Sequence, residues 1–134
     1  MRAFVDTSAL VTLLDRDDAR HALAGEVWRD GLRNGPVFCS TNYVVIETAA
    51  AVQRRFGHDG LRAFFAGILP ALEVEWVAPE DHERGLDLLM AHRRRRLSWV
   101  DCVSFVVMRR LQLETCFAFD RHFADEGFII VPAV

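Results

Sequence analysis

The sequence predicts an α/β fold in which parallel strands form one sheet with helices on both of its faces. Short apolar runs alternate along the chain with longer segments of helical periodicity, the pattern of successive strand and helix units. Thr115–Phe119 is almost wholly apolar, as a strand covered on both faces must be. No Gly/Ser-rich linker, repeat or low-complexity tract divides the 134 residues. A single domain over residues 1–134 is therefore expected, large enough to bury roughly 65–70% of the surface its unfolded chain would expose.

Arg2–Val5 reads as the first strand. Ala24, Trp28 and Leu32 recur at the spacing of one helical face, and Gly35-Pro36 stops that helix before a second strand at Val37–Ser40. Asn42 to Phe56 predicts a helix that buries Val45, Ala49, Val52 and Phe56. Leu61, Phe64, Phe65 and Ile68 mark another, ended by Pro70. Glu73–Val77 alternates at period two, as an edge strand with one wet face does. Pro79 in a first helical turn, followed by Glu80, Asp81 and Glu83, sets negative charge at the start of a helix that closes near Arg93. Ser98-Trp99-Val100-Asp101 has the form of a capping box and opens a helix to about Leu113. Thr115–Phe119, a central strand, and Phe128–Val131 complete five strands.

Hydrophobic residues make up 51% of the chain, which fits a globule and excludes a disordered or fibrous class. The formal net charge of −3 argues against a generally basic nucleic-acid binder, yet all 16 basic residues are Arg. Arg carries the planar fork suited to phosphate, although codon bias or a thermophilic source would give the same inventory. Cys39, Cys102 and Cys116 sit in apolar stretches without ligand spacing, so they read as buried thiols in a reducing compartment and not as a zinc site. The N-terminal apolar stretch is too short for a signal peptide and no run approaches a membrane span, so a cytoplasmic protein with no membrane partner is expected.

Asp6, Glu47, Asp101 and Asp120 each place a charge where an apolar segment should not carry one. Asp6 closes Phe4-Val5, Glu47 interrupts Val44 to Ala51, Asp101 is the only charge between Trp99 and Met108, and Asp120 ends Cys116–Phe119. A buried carboxylate costs several kcal/mol unless it is paired, hydrogen-bonded or bound to a metal. Asp6 and Asp120 fall at carboxyl ends of strands, where ligands gather in open parallel sheets, and Glu47 and Asp101 lie early in helices that start at that edge. Convergence on Mg²⁺ or Mn²⁺, which prefer hard oxygen ligands, explains all four together. Local explanations stand beside it: Asp6 and Asp120 as helix caps, Glu47 pairing with Arg54, and Asp101 as the acid of the capping box.

Four segments, Phe4–Leu10, Thr41–Glu47, Leu97–Cys102 and Phe117–Phe123, resemble in order the four acidic motifs of the PIN-domain ribonucleases, most closely the VapC toxins of prokaryotic toxin–antitoxin pairs. The resemblance spans essentially the whole chain. It implies a five-stranded parallel sheet flanked by helices, Mg²⁺- or Mn²⁺-dependent endonucleolytic cleavage of RNA, a homodimer and a small VapB-type antitoxin as partner. It further implies Asp6, Asp101 and Asp120 as metal ligands, with Glu47 orienting or deprotonating the attacking water. Such a site suits the reaction, because phosphodiester hydrolysis builds negative charge that a cation can neutralise. Ser8 would add a hydroxyl contact to metal or phosphate, or simply start a helix.

Other chemistry finds less support. The five His residues show no HExxH or paired spacing and read as surface or helix-end groups. No GxSxG, GxGxxG or P-loop pattern is present. Arg93–Arg96 either tracks an RNA backbone or complements a helix C-terminus. A phosphatase of the haloacid-dehalogenase type also opens on a strand ending in Asp, but it wants a second Asp at the position of Ser8 and a later Lys. A PIN-like domain that processes or merely binds RNA outside a toxin pair is the remaining alternative.

Overall fold

The computed structural model describes residues 1–133. Five strands, β1 (Arg2–Val5), β2 (Val37–Thr41), β3 (Glu73–Glu75), β4 (Thr115–Phe117) and β5 (Ile129–Val131), form one sheet in the order β3-β2-β1-β4-β5. Every pairing is parallel, with Phe4 opposite Cys39 on one side and Cys116 on the other. Six helices complete the domain: α1 (Thr7–Leu14), α2 (His21–Asn34), α3 (Asn42–Ala63), α4 (Pro79–Ala91), α5 (Trp99–Arg110) and α6 (His122–Asp125). No helix among the described residues is long and apolar enough to cross a membrane.

Both faces of the sheet are covered, because Ala3, Phe4 and Val5 are fully buried although successive side chains of a strand point to opposite faces. On one face Phe38 stacks on Trp28 of α2 at 4.9 Å and meets Phe117 of β4 at 5.9 Å. On the other, Phe4 packs on Phe123, which meets Phe105 of α5 edge to face at 5.0 Å.

β3 is an edge strand, with β5 at the other edge, and β4 is an interior one, as the patterns of β3 and β4 predict. Both end two residues early, for identifiable reasons. Val77 gives its N–H to Asn42 Oδ1 at 2.8 Å, and Phe119 gives its N–H to Ser8 Oγ at 3.0 Å, so side chains divert each amide from the ladder. The face of α2 is set by Ala24, Trp28 and Gly31; Leu32 is 54% exposed. Gly31 lets the helix approach so closely that a Cβ there would lie 2.3 Å from the Phe38 ring, and that rotates Leu32 outward. The helix from Asn42 breaks at Gly57, which has φ 68°, and resumes before a wider π turn over Phe64–Ile68. Phe64 and Ile68 are buried there, while Phe65 is exposed. Val44, Thr48 and Val52 are the fully buried residues of α3, with Val45 and Ala49 packed partly against the core.

α4 and α5 form a close antiparallel-type layer whose geometry presents the start of α5 to the sheet edge. Asp81 and Arg110 join them by a two-pronged ion pair, at 2.8 and 3.0 Å. At Gly85 an added Cβ would meet Val103 Cγ2 at 2.5 Å and its backbone N at 3.0 Å. We expect Gly85→Ala to lower stability by roughly 1–2 kcal/mol, because overpacking against backbone outweighs the gain in helix propensity. Gly67→Ala, with nothing within 4 Å, is the matched control and should be neutral or stabilising. Urea denaturation midpoints of the two variants check this.

Candidate metal centre and active site

The four acids gather at the carboxyl edge of the sheet, each delivered by a different element. Asp6 follows β1 and caps α1: its Oδ2 accepts Ser8 N–H at 3.2 Å and Ser8 Oγ–H at 2.7 Å. Glu47 stands in the second turn of α3 and takes the Thr7 hydroxyl on Oε1 at 2.6 Å. Asp101 closes the capping box of α5, with its Oδ2 accepting Ser98 N–H at 2.9 Å while its own N–H donates to Ser98 Oγ at 3.1 Å. Asp120 follows β4, and its Oδ1 accepts His122 N–H at 2.9 Å.

The local roles read from sequence therefore coexist with convergence for Asp6 and Asp101. Glu47 forms no pair with Arg54, which is exposed, and Asp120 is not the cap of α6, a position held by Arg121. Each carboxylate commits one oxygen to a nearby N–H or O–H and leaves the other without a hydrogen-bond partner among the described residues. Among the described residues no Arg pairs with any of them; the His122 ring sets its Nε2 3.6 Å from Asp120 Oδ1.

Burial first, and crowding after it, oppose ionisation of three of the acids. Burial pushes the Asp6 carboxyl up to about 7, with Asp101 and Asp120 adding to the rise and Ser8 opposing it. Glu47 and Asp101 are raised as well, each chiefly by burial and further by neighbouring carboxylates. Beneath them burial, reinforced by Asp6, holds the Cys116 thiol far above its usual range, so a neutral sulfur underlies a floor of oxygens.

Asp101, Asp120 and His122 each offer an atom within 4.8 Å of the others, the spacing of a metal-ligand set. Carboxylate oxygens with unused lone pairs and no arginine paired to them among the described residues suit a hard divalent ion. Sequence reasoning had set His122 aside with the other histidines; its signal was its place two residues beyond Asp120, at the turn that ends β4. Thr7 was likewise missed as the group that holds Glu47. It in turn accepts Thr48 Oγ1–H at 3.3 Å. Ser8 has both sides of its hydroxyl occupied, donating to Asp6 and accepting from Phe119 N–H, so it works as a clamp between β1 and β4. Arg93–Arg96 lies past the end of α4, not on it. Arg94 pairs with Glu126 at 3.0 Å, and the Arg96 carbonyl lies 3.1 Å from His122 Nε2.

Comparison with known proteins follows the same outline. A profile of the PIN domain matches residues 3–128. The chain is 36% identical over 129 residues to the 23S rRNA-specific endonuclease VapC20 of Mycobacterium tuberculosis, covering 96% of each chain. The crystal structure of that protein, described as a Sarcin-Ricin loop cleaving toxin, superposes with a TM-score of 0.84 at 34% identity over 95% of this chain and 96% of the other. VapBC2 from Rickettsia felis, bound to a DNA fragment from its promoter, shares the fold with a TM-score of 0.69 at 11% identity, each chain covered to 97%.

An acid whose pKa is raised by folding binds its proton more tightly in the folded state. Its stabilising contribution is full below the unfolded value near 3.8 and is lost as pH rises through about 7. In EDTA, the stability of the wild type relative to Asp6→Asn should fall by on the order of 2–4 kcal/mol between about pH 4 and pH 7.5. A divalent cation should restore most of it at the upper end. Denaturant melts at paired pH values read the difference, and a pH-independent gap would contradict the desolvated, crowded carboxyl described here.

Proposed function

The chain belongs to the PIN-domain family, and from that premise we propose that it is a divalent-metal-dependent endoribonuclease, the toxin half of a VapBC-type pair held in check by a VapB-type antitoxin. Four carboxylates at one edge of the sheet, each with one oxygen unspent and none paired with arginine among the described residues, carry this reading. Asp6, Asp101 and Asp120 would hold the metal, Mg²⁺ or Mn²⁺, and His122, grouped with Asp101 and Asp120 within 4.8 Å, offers a further donor. A bound divalent cation would lower the pKa of the attacking water and offset the charge that builds on the phosphate. Glu47, raised in pKa and steadied by Thr7, orients that water and accepts its proton. Ser8 and Ser98 act through the acids they hold, keeping Asp6 and Asp101 in place before substrate arrives.

RNA is the substrate class, and 36% identity to an enzyme named for 23S rRNA makes that RNA, at its sarcin-ricin loop, the first to test. Residues 1–134 act as one nuclease domain, in the cytoplasm and as a homodimer.

Purified protein freed of antitoxin should cut 23S rRNA or a sarcin-ricin stem-loop in Mg²⁺ or Mn²⁺ and stop in EDTA, with activity returning when the ion is restored. Undiminished cleavage in chelator would exclude the metal mechanism. Asp6→Asn and Glu47→Gln should each lower kcat by about 10²–10⁴ while the circular dichroism of the fold is retained.

Asp101→Asn separates the cap from the ligand, since the amide oxygen can still accept Ser98 N–H. It should melt no lower than wild type in EDTA and show a reduced gain from Mn²⁺. A variant that melts well below wild type and keeps the whole metal response would make Asp101 a cap alone.

A further inference from the structure

A cavity of about 540 Å³ shares a wall with the acidic centre at Asp120. It lies beyond the end of β4, floored by Ile130 and Pro132 and edged by Phe119, Arg20 and Arg121. The Arg20 guanidinium lies 4.7 Å over the Phe119 ring, its edge spent on Asp18 at 3.2 Å. Arg121 is exposed and forms no ion pair among the described residues.

Each part of this wall suits a nucleotide. The volume is in the range of small-ligand pockets. Unpaired RNA bases are bound by stacking on aromatic rings and guanidinium planes, and the phosphates beside them by arginine. Asp18 meets the Arg20 charge and the Asp120 carboxylate lines the same cavity, so Arg121 is the lining cation left to take a phosphate. A strand whose phosphate lies at Asp120 must also lay a neighbouring nucleotide on whatever adjoins that residue.

We propose that this cavity is the subsite for the nucleotide next to the scissile phosphate, its base packed against the Phe119–Arg20 stack and its far phosphate drawn to Arg121. The assignment rests on the reading of the acidic centre as a ribonuclease. It assigns substrate recognition to residues outside the four acids, on the side of the site bounded by β4 and β5.

The test uses an RNA with a mapped cleavage position, in which each base flanking the scissile bond is removed in turn to leave an abasic residue. One such removal should raise the wild-type KM roughly tenfold with little change in kcat. Phe119→Leu, which keeps apolar volume and loses the ring, should raise KM by a similar factor on intact RNA and add nothing on that abasic RNA. Ala124→Trp narrows the mouth from an exposed lining position, and should behave the same way if the leucine variant folds poorly. Anisotropy in EDTA, where no RNA is cut, should show matching losses of affinity. Arg121→Gln should weaken binding and shallow its salt dependence by about one phosphate.

Costs that add at every abasic position, or an unchanged KM for both cavity variants while the wild type cuts normally, would overturn the subsite alone. A wild type that neither binds nor cuts RNA would overturn the nuclease reading, and the subsite with it.

Discussion

Desolvation of the carboxylates gathered at one edge of the sheet, with their mutual repulsion added to it, is the constraint around which this domain is arranged. Asp6, Glu47, Asp101 and Asp120 come from two strand ends and two helix starts; burial raises the cost of ionising Asp6, Glu47 and Asp101, and the charges of Asp101 and Asp120 add to it. Hydrophobic burial of the sheet supplies the energy that brings them together. Ala3, Phe4 and Val5 are fully enclosed, so the position of Asp6 is fixed by the same packing that makes β1 the central strand.

Hydroxyl groups then set the orientation that packing leaves open. Ser8 bonds both Asp6 and the amide of Phe119, so that the turn after β1 and the turn after β4 cannot separate without breaking a half-buried contact. Thr48 supports Thr7, which supports Glu47, in a short chain of donors running from α3 to α1 and back. Ser98 and Asp101 satisfy each other at the start of α5. In each case one carboxylate oxygen is spent on rigidity and the other has no hydrogen-bond partner among the described residues, so a capping role does not exclude metal binding by the same side chain. An active site preorganised in this way needs no rearrangement when charge develops on a substrate.

Much of this was legible in the sequence, because a charge inside an apolar run is conspicuous and because parallel α/β order places strand ends on one edge. The five strands and the edge position of β3 follow from hydrophobic pattern alone. Less legible were features that depend on contacts distant in sequence. β4 stops at Phe117 only because a hydroxyl 111 residues away takes the next free amide. Leu32 keeps the periodicity of a buried stripe, yet the close approach at Gly31 turns it to solvent. His122 and Thr7 belong to no periodic pattern, and only the folded geometry gives them partners. The arginine run looked like the end of a helix, but the helix stops at Ala91 and one arginine is drawn into a cluster with Glu126 and His92.

Anomalous scattering from a crystal grown in Mn²⁺ tests the central claim most directly. The account expects a difference peak within coordination distance of the unspent oxygens of Asp6, Asp101 and Asp120, lost in Asp6→Asn. A centre that stays empty at saturating Mn²⁺, its carboxylates bonded to one another through shared protons, would contradict it.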